Sequence, residues 1–177
     1  MIFRKVFLIY AFKIVFINSL IAQWTPGPGN QDTLNLLLIS GGYVYFKFKS
    51  INDVQNGIEY TDWSNFYLYF DDDDIDDNLK LTCYANTSLS YIVGERGEQL
   101  NLDEIEVRAI CSGCTGVTET GWQTLTNAPG ADLLTGFAGD GSPGDTYDIH
   151  IDFRCGNSGL INQPYDYYYV DIIFDVE

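Results

Sequence analysis

The chain has 177 residues, 25 of them acidic against 9 basic, with one histidine and a formal net charge of −16. Such an acidic surface lacks the clustered Lys and Arg that phosphate contacts require, which excludes nucleic acid and anionic lipid headgroups as partners. Thirteen Tyr and three Trp against one Met place it far from the composition of disordered segments.

Met1 to Lys5 is a basic start. Val6 to Ile21 is apolar apart from Lys13 and Asn18-Ser19, and Ala22 precedes the polar break Gln23-Trp24-Thr25-Pro26. This order predicts a secretory signal peptide over residues 1–22. Its apolar part is too short and too interrupted for a membrane span. The mature chain is expected to begin at Gln23, to carry no membrane span, and to be secreted, periplasmic or at the cell surface. Residues 23–33, with two Pro and two Gly in Pro26-Gly27-Pro28-Gly29, predict a flexible lead-in.

From residue 34 to 177 the pattern is short period-2 stretches with turn residues between, the signature of an all-β domain. Leu34–Ser40 is apolar, and Gly41-Gly42 can turn it into a hairpin with Tyr43–Lys49, where Val44, Phe46 and Phe48 share a face. Asn65–Phe70 puts Phe66, Leu68 and Phe70 inward and Tyr67 and Tyr69 outward. Leu79–Ala85 groups Leu79, Leu81, Cys83 and Ala85. Residues 98–109 come nearest to a helix but alternate as a strand, with Ile105, Val107, Ala109 and Cys111 together. Residues 112–146, rich in Gly and Pro, read as loops around a short strand near Trp122–Leu125. Tyr147–Cys155 puts Tyr147, Ile149, Ile151, Phe153 and Cys155 inward, and Asp148, His150, Asp152 and Arg154 outward. Tyr167–Val176 puts Tyr168, Val170, Ile172, Phe174 and Val176 inward. Clean alternation favours antiparallel pairing. About seven half-buried strands need two sheets to cover their apolar faces. A Greek-key, immunoglobulin-like β-sandwich is the expected architecture.

Four cysteines in an exported chain predict disulfides. Cys83 and Cys155 share the inward phase of different strands, so a Cys83–Cys155 bridge is expected, with two separate buried thiols or a link from Cys83 to Cys111 as rivals. Cys111-Ser112-Gly113-Cys114 lacks any surrounding βαβ pattern, so a local Cys111–Cys114 disulfide is expected rather than a redox centre. Zinc fits poorly, because no second Cys-x-x-Cys is present.

The run Asp71-Asp72-Asp73-Asp74-Ile75-Asp76-Asp77-Asn78 offers oxygen ligands for calcium, with Asp71, Asp73 and Asp76 as candidates and a solvated loop as the alternative. No cofactor is expected, calcium at this run being the one candidate. Tyr67 and Tyr69, and Tyr167 and Tyr169, stand two apart on outward faces. They are candidates for stacking on sugar rings or on a partner subunit. Catalysis finds no footing: there is one His, no Ser-His-Asp arrangement, and no Gly-x-Ser-x-Gly or His-Glu-x-x-His.

The turn Asn56-Gly57-Ile58, the strand–turn–strand Phe66 to Ala85, and the closing pair Tyr147-Asp148-Ile149 and Tyr167 to Glu177 give a layout that resembles small exported bacterial β-sandwich proteins, the spore coat protein U and fimbrial subunit group. That resemblance implies a pilus-like or surface-structural role, often with a chaperone. The expected function is a non-enzymatic structural or adhesion protein with a protein partner or self-association. The alternative is a carbohydrate-binding module that uses exposed aromatics on a polysaccharide, with structural calcium.

Overall fold

A computed structural model describes residues 10–15, 33–71, 79–137, 145–157, 160, 163 and 166–177. Strand β1 covers Tyr10–Val15, β2 Thr33–Ser40, β3 Tyr43–Phe48, β4 Ile58–Asp71, β5 Leu79–Ala85, β6 Tyr91–Val93 and β7 Gln99–Asn101. Strand β8 covers Ile105–Ser112, β9 Thr118–Glu119, β10 Gln123–Thr124, β11 Ala131–Phe137, β12 Asp145–Cys155 and β13 Tyr167–Val176. A short helix α1 spans Ile51–Asn56 and a 3-10 turn spans Leu102–Glu104.

The molecule is an all-β sandwich of two facing sheets. The larger sheet runs β3-β1-β13-β5-β11-β9 and the smaller β10-β8-β12-β4-β2, with β6 and β7 forming a separate hairpin. Among the described residues, strand pairing is antiparallel except between β1 and β13, which run parallel, and at the isolated parallel bridge Ala85–Asn127. Among the described residues, no two strands consecutive in sequence share either large sheet. The chain crosses the sandwich at each such step, so strands of the two large sheets pair with strands that are not their neighbours in sequence.

The predicted hairpin at Gly41-Gly42 therefore does not form. Strand β2 pairs with β4 in the smaller sheet, while β3 pairs with β1 in the larger. Gly41 makes the crossing with φ +75°, and a Cβ there would lie 2.1 Å from the Trp63 carbonyl oxygen. The Ser64 hydroxyl donates to the Gly41 carbonyl at 2.7 Å, fixing the corner.

The inward phases hold. Val44, Phe46, Leu68, Leu81, Cys83, Ile105, Val107, Ala109, Ile149, Ile151 and Phe153 are fully buried. Leu133, Leu134 and Phe137 of β11 join them, from a stretch read in the sequence as loop. Tyr168, Val170, Ile172 and Phe174 anchor β13 between β1 and β5. Each such side chain contributes about 1.5–3 kcal/mol on burial, before entropic losses.

The turn expected at Asn56-Gly57-Ile58 is the exit of α1. Ser50 caps the helix: its side chain accepts from the Asp53 N–H, and Asp53 reciprocates on the Ser50 N–H. That capping box satisfies two otherwise unpaired donors. Hydrogen bonds to its carboxylate, from the Lys49 backbone first and then Ser50, hold Asp53 below its ordinary pKa.

Outward phase fails at Thr82 of β5, 2% exposed, and at Asp152 of β12. Asp152 was expected on the solvent face, yet it is 1% exposed. Between the pairs Ile151–Ser64 and Phe153–Tyr60, β4 bulges, and Asp62 there adopts φ 53°. The bulge folds over Asp152. Its carboxylate accepts from the Asp62 N–H at 2.7 Å and from Arg108 Nε at 2.9 Å, with Arg108 Nη2 on the same oxygen.

Candidate functional site

The outer face of the larger sheet carries four exposed tyrosines: Tyr43 and Tyr45 on β3, Tyr167 and Tyr169 on β13. Strand β1 runs between them, and Tyr45, Lys13 and Tyr169 share one register row. Tyr167 and Tyr169 were expected here. Tyr43 and Tyr45 were not singled out, although their alternation with Val44 and Phe46 carried the signal.

Beside Tyr169 lies a cleft of about 310 Å³, lined by Asn86, Thr87, Leu89, Tyr91, Tyr169 and Asp171 among others. Its origin is a break in pairing. Strand β5 follows β13 only as far as the pair Ala85–Ile172. The Asn86 N–H then donates to the Asp171 carbonyl at 2.8 Å, and the chain arches away until the Glu95 N–H donates to the Tyr167 carbonyl at 3.1 Å. Residues two apart on a strand aim their backbone groups to the same side, so the Tyr169 N–H and C=O point into the gap between these anchors.

The arch is locked at its far end. Buried Asp166 accepts from the Arg96 N–H and the Tyr167 N–H, each at 2.7 Å. A Cβ on Gly94 would fall 2.3 Å from the Asp166 carboxylate, so glycine is what lets the turn close. The hairpin β6–β7 follows from that turn. The Tyr169 hydroxyl sits above its ordinary pKa, through desolvation first and then its hydrogen bond to Glu95.

Tyr67 and Tyr69 belong to the opposite sheet, so the four predicted tyrosines form two surfaces rather than one. Tyr67 is register partner to Leu37, and Leu37 and Ile39 on edge strand β2 are largely exposed. This makes an apolar patch on the smaller sheet.

The same sheet holds charged pairs that the sequence phases did not disclose. Arg154 donates to Glu106 at 2.6 and 2.7 Å, directly across β12 and β8 from each other. Arg154 and Arg108 both stack on Trp122, their guanidinium carbons 4.3 and 4.6 Å from its ring centre. His150 contacts Asp62 through Nδ1 at 2.5 Å and approaches Asp148 through Nε2 at 3.6 Å. The one histidine is thus a link in the bulge, held by carboxylates.

Cys111 and Cys114 form the expected local disulfide. The expected Cys83–Cys155 bridge is absent: both are free, buried thiols. Cys83 sits within β5 beside Phe174 and Ala131, whereas Cys155 ends β12 beside Ile58 and Ile105. Shared inward phase selects a face but not a position along it. Burial pushes the Cys83 thiol up to about 12, and Cys155 upward as well, with the Glu104 charge adding to burial there.

Of the calcium candidates, Asp73 and Asp76 lie outside the described residues, and Asp71 ends β4. Among the described residues no group of three His, Cys, Asp or Glu is placed to hold a metal ion, and no helix is long and apolar enough to cross a membrane. No protein-family model matches the chain, and no curated protein matches it in sequence.

Proposed function

We propose that the protein is an exported, non-enzymatic β-sandwich subunit that assembles at the cell surface by accepting an extended strand from a partner chain. The observation that carries this reading is the place of β1. Tyr10–Val15 lies inside the stretch that reads as a removable leader, yet it is the strand that joins β3 to β13. Removal of residues 1–22 would leave β3 and β13 as two facing edges, two strand spacings or roughly 9–10 Å apart. Each edge would present an unpaired row of N–H and C=O groups above Val44, Phe46, Tyr168 and Val170, which the filled sheet keeps buried.

Such a slot is a template for strand addition, in which backbone hydrogen bonds supply affinity and alternate side chains supply register. The apolar patch of Leu37, Ile39 and Tyr67 on the other sheet offers a further contact between subunits. The layout resemblance to fimbrial subunits agrees with this reading. Size-exclusion chromatography and negative-stain electron microscopy of the chain from Gln23 to Glu177 test it. Oligomers or filaments are expected, and they should be lost when a strand equivalent to β1 is fused back in place. A monomer with an intact, cooperative melt would refute the reading.

A further inference from the structure

We propose that the cleft beside Tyr169 is a binding site for one neutral pyranose unit of a glycan. This goes beyond the assembly reading and does not depend on it, since the cleft lies on the β5–β6 side of β13 and β1 on the other.

Three observations converge. The first is size: about 310 Å³ is at the small end of ligand pockets, roughly 300–1,000 Å³, and suits one sugar ring. The second is chemistry. Tyr169 and Tyr91 supply aromatic surface for the C–H face of a pyranose, while Asn86, Thr87 and Asp171 supply donors and acceptors for ring hydroxyls. The Tyr169 backbone N–H and C=O, aimed into the same gap, add one of each. The third is preorganisation. The arch is fixed at both ends by backbone hydrogen bonds and at one end by buried Asp166, so little ordering cost falls on the ligand.

Charge selects the class. The Asp171 carboxylate lines the cleft and the Glu95 charge acts on the adjacent Tyr169 hydroxyl, so uronic acids, sialic acids and phosphates are disfavoured. A purely apolar ligand is disfavoured because it would strip water from these polar groups without replacing their hydrogen bonds.

Saturation-transfer difference NMR of the full chain with methyl glucoside, methyl galactoside and N-acetylglucosamine tests the site. At least one sugar should give signals on its ring protons. Backbone amide shifts should be confined to residues 86–93 and 169–171. Tyr169→Ala should weaken binding roughly five- to tenfold, the loss expected for one aromatic contact. Tyr169→Phe should retain binding, and Tyr67→Ala on the opposite sheet should leave it unchanged. If Tyr169→Ala does not fold, Thr87→Ala and the location of the amide shifts decide. The proposal is overturned if folded protein binds none of the three sugars at high millimolar concentration. Shifts mapping elsewhere, or a folded Tyr169→Ala binding as wild type does, would overturn it equally.

Discussion

The Asp152 carboxylate accepts the backbone N–H of Asp62 at 2.7 Å across the bulge in β4, while its other oxygen takes the Arg108 guanidinium. One buried acid thereby fixes an irregular backbone turn on β4 to a cation on β8. Asp62 in turn contacts His150.

Asp152→Ala should be among the most damaging single changes in the chain. It leaves Arg108 without its carboxylate and a bulge N–H without an acceptor. Arg108 is 30% exposed, so the cost falls below that of a fully buried pair, at about 2–3 kcal/mol. Urea unfolding should show this as a lower midpoint with an unchanged slope. Asp148→Ala, whose carboxylate only approaches His150 at 3.6 Å, should stay within about 0.5 kcal/mol of wild type.

Gly41→Ala should destabilise through backbone strain and collision together. A positive φ costs a non-glycine residue about 1–3 kcal/mol, and the added Cβ would meet the Trp63 carbonyl at 2.1 Å. Gly97→Ala is the control, since Gly97 has φ +86° but nothing within 4 Å of the added Cβ. The difference between the two melting temperatures measures the collision alone.

The buried thiols make stability fall on the alkaline side. Cys83 holds its proton up to about 12 in the folded chain, whereas an unfolded thiol ionises near 8.5. Between these values the unfolded state has lost protons that the folded state keeps, so unfolding becomes easier as pH rises. The contribution is flat below about pH 8.5 and can reach about 1.4 kcal/mol per pH unit for one thiol above it. Chemical denaturation across pH 8 to 11 should show this slope, and Cys83→Ala should reduce it. A thiol-reactive dye should label neither Cys83 nor Cys155 until the chain unfolds.

Much of the sandwich was legible because β3, β5, β8, β12 and β13 alternate apolar and polar residues, and a period of 2 assigns each residue to a face, overridden at the buried Thr82 and Asp152. Legibility ended where backbone irregularity hid the period. In β11 the adjacent Leu133 and Leu134 are both buried because bulges fall between Asp132 and Leu134 and between Thr135 and Phe137. In β4 the three-residue excursion at Thr61–Trp63 masks the strand before Ser64. The pairing of β2 and β3 with distant strands was likewise hidden, because Gly-Gly permits a hairpin and a crossing equally.

The candidate site was half legible. Outward phase marked Tyr167 and Tyr169. The cleft beside them arises from where β5 stops following β13 and where the arch rejoins it, and no local pattern in residues 86–95 announces that. The expectation of a leader over residues 1–22 drew attention away from β1, since an apolar run of that kind has no alternation to find.

The most direct measurement is the thermal stability of the chain from Gln23 to Glu177, with and without a synthetic peptide that spans Tyr10–Val15. The account predicts that the peptide binds in the slot between β3 and β13, suppresses self-association, and raises the melting temperature by roughly 5–10 °C at a hundredfold excess over its Kd. A chain that is monomeric and melts at the same temperature with or without the peptide would contradict it.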